Sequence, residues 1–189
     1  MTRAPLATLA LLVLAGCASA RHAYVQTYWG HTEKLEMYDG FGTALRVRAT
    51  YLSTGFRTAM ADERARLLGP SSDDHEAFKA RLLADADVYH EIFFTAESSY
   101  DRNQLRFGED DEGWHIRLEA DGSAQDLVTV YQVKKPTLLH ERLLDGYDRY
   151  TQLWIAKFAR TATAPDELVL HLGSGHGHTQ IRWAGDQLR

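Results

Sequence analysis

The residues best suited to chemistry near the end of this chain are three histidines. His171, His176 and His178 lie in the run Glu167-Leu168-Val169-Leu170-His171-Leu172-Gly173-Ser174-Gly175-His176-Gly177-His178-Thr179-Gln180-Ile181-Arg182-Trp183. Neutral imidazoles bind zinc or copper, and a pair facing each other across two strands can chelate. Apolar and polar residues alternate on both sides of a glycine-rich centre, the pattern of a β-hairpin. A turn centred on Ser174-Gly175 places Leu170 opposite Thr179 and Leu168 opposite Ile181, on an inner face that Trp183 continues. The same turn places Glu167 opposite Arg182 and His171 opposite His178 on the outer face, with the two histidine Cβ atoms about 5 Å apart. A slip of one residue would mix the faces. His176 then sits in or beside the turn. The metal reading makes His171, His176 and His178 the ligands, but no carboxylate stands close by to complete the set. The competing reading is a solvated histidine pair, repulsive when both rings are protonated.

Other motifs are incomplete. Gly173-Ser174-Gly175 has the look of a nucleophile elbow, which needs a strand-turn-helix context, whereas this context is a hairpin. His140-Glu141 lacks the second histidine of a zinc-binding helix. Gly40-Phe41-Gly42 is too sparse for a phosphate loop. The acidic loop Gly108-Glu109-Asp110-Asp111-Glu112-Gly113 offers hard oxygen ligands for calcium, without the spacing of an EF-hand. Dispersed Asp and Glu residues could meet in space as a hydrolase pair, a meeting that sequence cannot reveal. Tyr24, Tyr28, Trp29 and Tyr38 suit lipid headgroups or a protein partner. The plainer expectation is that Trp29 and Tyr38 pack an edge of the core.

The elements that must hold these residues follow from periodicity. Residues 43–53 alternate, with Leu45, Val47, Ala49 and Tyr51 on one face, as a half-buried strand does. Phe56 to Leu68 has helical spacing, with Asp62 and Arg66 placed to pair and Gly69-Pro70 to stop it. A second helix follows, with Asp73 and Glu76 spaced as a capping box and Phe78, Leu82, Leu83 and Ala86 on its buried side. Further strands are expected at 91–97, 114–120, 127–133, 152–161, 167–172 and 179–183, with a hairpin turn at Asp121-Gly122 and a short helix or crossover at 138–150. About seven short strands suit an antiparallel, immunoglobulin-like β-sandwich, here mainly β with a two-helix hairpin inserted at about 56–90.

The N-terminus carries the most specific signal. Arg3 precedes a short apolar run from Leu6 to Leu14, too short to span a bilayer, and the run ends in Leu14-Ala15-Gly16-Cys17. This resembles the lipobox of bacterial lipoproteins. The resemblance implies that residues 1–16 are a signal peptide removed before Cys17, and that Cys17 carries covalent diacylglycerol and an N-acyl chain. Two or three acyl chains anchor durably where one does not. It also implies an outer-membrane location with the domain in the periplasm, because no aspartate follows Cys17. The alternative is the outer face of a Gram-positive cytoplasmic membrane. Residues 17–27 are then a lipidated tether and 28–189 a single globular domain.

Composition narrows the function. The chain has 189 residues, a net charge of −5 and one cysteine. The acidic balance argues against a nucleic-acid partner. With Cys17 committed to lipid no disulfide can form, so the core alone must hold the fold. The expectation is an interaction or assembly module that contacts the membrane through its anchor and an envelope protein through its surface, with no cofactor and no catalysis. The alternative is a small-ligand or metal-binding module at the His171/His178 face, and the third reading is a hydrolase. Oligomeric state is left open.

Overall fold

The computed structural model describes residues 21–69, 71–99, 105–108, 113–145, 147, 151–161 and 164–189. Cys17 and residues 1–16, expected to be a signal peptide ending in a lipobox, lie outside the described residues, as do 109–112 of the acidic loop. The described chain is mainly β, with four helices and two sheets. Residues 21–30 form helix α1. Next come β1 (Thr32–Asp39), β2 (Gly42–Tyr51), α2 (Thr54–Leu68), α3 (Ser72–Val88) and β3 (Tyr89–Glu97). Then follow β4 (Phe107–Gly108), β5 (Trp114–Ala120), β6 (Ser123–Gln125), β7 (Leu127–Gln132), α4 (Leu138–Leu143), β8 (Gln152–Ala159), β9 (Glu167–Ser174) and β10 (Gly177–Ala184).

One sheet has the order β1-β2-β3-β8-β7 and is antiparallel throughout. The other has the order β10-β9-β5-β4, with β6 also paired to β5; only the two-residue β4–β5 pairing is parallel. Period-two alternation decides which side chains meet. Leu45, Val47, Ala49 and Tyr51 of β2 join Ile92, Phe94 and Ala96 of β3 and Trp154, Ala156 and Phe158 of β8. These pack on Leu118, Leu168, Leu170, Leu172, Ile181 and Trp183 from the second sheet, forming one core. The intervening residues of the first sheet point the other way. Phe93 and Leu153 there meet Tyr24 and Tyr28 of α1, Phe56 and Met60 of α2, and Leu143 of α4. The first sheet is thus covered on both faces, by the second sheet and by helices.

The seven expected segments all form strands, but the described residues hold ten: β1, β4 and β6 are additional. β1 lacks a clear signal because Lys34, Glu36 and Tyr38 face outward and Glu33 shares the inward row with Leu35 and Met37, which leaves only a thin apolar alternation. Residues 21–27, expected as tether, are helical, and Tyr24 and Tyr28 are buried. The side chain of Ser53 caps α2 by accepting from Phe56 N, and Gly69 closes it at φ +56°. Arg66, expected to pair with Asp62, holds Glu63 instead through two bonds of 2.6 and 2.8 Å. α3 is capped by Ser71 and not by Asp73, since the Ser71 hydroxyl reaches the amide of Asp74. Of its expected apolar side, Ala86 is fully buried, while Phe78, Leu82 and Leu83 are half-buried. Phe78 lies between the guanidinium groups of Arg64 and Arg81.

Candidate functional site

The histidine hairpin is present in a shifted register. β9 pairs with β10 through Ser174↔Gly177, Leu172↔Thr179, Leu170↔Ile181 and Leu168↔Trp183. The turn is therefore Gly175-His176, one residue beyond a turn on Ser174-Gly175, and each cross-strand partner moves by two. A shift of two keeps every side chain on its expected face. Contacts inside and outside the hairpin hold this register. Ser174 Oγ accepts from His176 N at 3.1 Å, and the His176 ring meets Asp39 Oδ2 at 2.9 Å in the neighbouring β1–β2 turn. Gly177 takes φ +132°, where an added Cβ would stand 3.6 Å from the sulfur of Met37.

His171 now lies directly opposite Gln180, and His178 opposite Gly173. The two imidazoles still meet on the diagonal, stacked with centroids 5.4 Å apart and Nδ1 to Nε2 at 3.3 Å. β5 supplies a carboxylate that sequence did not bring near. Glu119 Oε2 stands 3.2 Å from His171 Nε2, off the line of a hydrogen bond, and Glu119 also pairs with Arg117 at 2.9 Å. His176 points to Asp39, away from this pair. Among the described residues no group of three or more His, Cys, Asp or Glu side chains is placed to hold a metal ion. The expected Glu167–Arg182 ion pair forms, at 2.9 Å.

A second charged site lies on the helical side, where α1, α2 and α4 meet. A cleft of about 310 Å³ is lined by Ala23, Tyr24, Thr27, Ala59, Asp62, Glu63 and Arg66. At its floor Glu63 is buried and receives Arg66 and Arg21, the latter at 3.1 Å. Burial alone would raise the Glu63 carboxyl, but the hydrogen bonds from Arg66 and Arg21 outweigh it and hold it below the usual range. Arg21 also donates to the carbonyl of Arg142 at 2.7 Å and lies 3.6 Å from Asp145. Trp29 Nε1 donates to Asp145 at 2.8 Å, and the Tyr24 hydroxyl donates to the carbonyl of Leu143. Burial pushes the Tyr24 phenol far up, so it serves as a donor and not as a base. Trp29 thus packs an edge, as expected, whereas Tyr38 stands 61% exposed, bonded to Glu36.

Beneath the helical hairpin lies a third charged group. Arg57 is fully buried, 2.9 Å from Glu91, and donates to the carbonyls of Leu52 and Leu82. Lys157 bridges Asp85 at 3.1 Å and Glu91 at 3.6 Å. His90 is buried in the core beside the Tyr51 hydroxyl at 3.1 Å. Burial, aided by Arg160, lowers its pKa to about 4, so it is neutral at physiological pH. Gly173-Ser174-Gly175 runs from a strand into a hairpin turn, not into a helix. His140 closes the first turn of α4 by bonding Thr137.

Signals for these buried groups are absent from local sequence, because Arg21, Glu63, Arg142 and Asp145 come together only through the fold. No helix among the described residues is long and apolar enough to cross a membrane. No protein-family model matches the chain, and no curated protein matches it.

Proposed function

We propose that this chain is an envelope lipoprotein whose domain is a non-catalytic interaction or assembly module, held at the periplasmic face of the outer membrane by lipid on Cys17. The run Leu14-Ala15-Gly16-Cys17 carries the reading. The docked start of α1 supports it, since a helix fastened this soon after Cys17 holds a domain close to its anchor. The two-sheet scaffold is read as a β-sandwich of the immunoglobulin-like kind, an architecture that serves many binding roles. The test of the anchor is palmitate labelling and membrane fractionation of the wild type and Cys17→Ser. The variant is expected to remain unprocessed or become soluble, and normal membrane attachment would overturn the reading. For the assembly role, cross-linking in the native envelope followed by purification is expected to recover one stable partner in stoichiometric amount.

A second reading, a metal or small-ligand site at the His171/His178 face, is favoured by the stacked rings and by Glu119 beside them. Zinc titration of the wild type and of a His171→Ala/His178→Ala variant separates the two readings. Equal weak binding ends the metal hypothesis. A hydrolase is the least favoured reading, because Glu63, the buried carboxylate of the cleft beside α1 and α2, is already committed to two arginines.

A further inference from the structure

The position of α1 limits which side of the domain can meet a membrane, an inference that rests on the lipid anchor at Cys17. Arg21 is held by Glu63, Asp145 and the carbonyl of Arg142, so the chain is fastened to the domain at that point. Four Cα–Cα steps separate Cys17 from Arg21, and fully extended they reach about 14 Å. α1 belongs to the helical layer on the face of the first sheet turned away from the second sheet. Two packed sheets lie about 10 Å apart, so the outer face of the second sheet is on the side of the domain opposite the layer that holds Arg21. A bilayer lying against the helical layer is therefore the one that acyl chains attached at Cys17 reach most directly.

We propose that the domain stands on the bilayer with its helical side down. The surface around Arg21, made by α4 and the neighbouring part of α2, lies on phospholipid headgroups, and the His171/His178 face points away from the membrane. The exposed residues of that surface match the partner. On and just before α4, Leu138 is 77% exposed and Lys134, Lys135 and Arg142 are exposed cations, while Leu68 at the end of α2 is 54% exposed. Short apolar side chains can enter the headgroup zone while lysine and arginine reach the phosphates.

The test uses the lipidated full chain in vesicles of phosphatidylethanolamine and phosphatidylglycerol that carry a headgroup-level nitroxide lipid. Cys17 is the only cysteine, so Leu68→Cys, Leu138→Cys and Gln180→Cys can each be labelled singly with a small fluorophore. Flotation with the vesicles first establishes the anchor. Labels at 68 and 138 are expected to be quenched several-fold more than the label at 180. Equal quenching at all three sites, or stronger quenching at 180, overturns the orientation while leaving the anchor standing. Failure of the wild-type chain to float overturns both.

Discussion

The helical side and the histidine side of the molecule both carry clustered charge, and they use it differently. Under the helices, Arg57, Glu91 and Glu63 are buried and tied to partners on other elements. On the outer face of β5, β9 and β10, Glu167, Arg182, Arg117 and His178 remain largely in water. Buried ion pairs are expensive to strand once formed, whereas exposed pairs contribute little. The first cluster therefore fastens α1, α2 and α4 to the sheet, and the second is free to be altered.

Breaking the buried pair is the largest perturbation. Arg57→Ala leaves Glu91 buried with only Lys157 opposite, and should cost about 3–5 kcal/mol in urea unfolding. Arg57→Met combined with Glu91→Leu should recover most of that loss, and failure to do so would mean that Arg57 matters through its two carbonyl contacts. Next comes acid. The unfolded His90 takes up a proton below about pH 6.5 and the folded one only near pH 4. Stability should thus fall as pH drops through that window, by an amount on the order of 3 kcal/mol at most. His90→Phe should flatten the slope between pH 6.5 and 4.5. The depressed carboxyl of Glu63 acts lower: its contribution is present above the unfolded value near 4.5 and is lost as pH falls further. Glu63→Gln should cost about 1–3 kcal/mol, with faster amide exchange across residues 21–30. Smallest is the histidine pair, where His171→Ala and His178→Ala should each shift stability by less than about 0.5 kcal/mol. A larger loss there would erase the contrast between the two sides.

Sequence periodicity was most informative where one face of a strand is dry and the other wet. β2, β5 and the β9–β10 hairpin meet that condition, and their faces were legible. The hairpin register was legible only to within two residues, because its turn is also held by His176 on Asp39 of the neighbouring β1–β2 hairpin, a contact that its own sequence does not encode. α1 was hidden for a related reason. Tyr24 and Tyr28 are one helical turn apart, a short apolar stripe that gains its partners from α2, α4 and the first sheet. The helical-side cluster combines residues from positions 21, 63, 142 and 145, a juxtaposition that no local pattern encodes. The histidines stood out through spacing alone, and spacing did not assemble them into a metal site.

The contacts of α1 and its following turn also bear on the order of folding. Tyr24 bonds Leu143, Trp29 bonds Asp145, the carbonyl of His31 accepts from Trp183, and that of Gly30 accepts from Gln187. The first described residues are thus stitched to the last ones. Contacts between residues so far apart in sequence close slowly. A polypeptide emerging N-terminus first cannot make the bonds to Trp183 and Gln187 until β10 has followed, so the seam beside α1 is among the last parts of the fold to close.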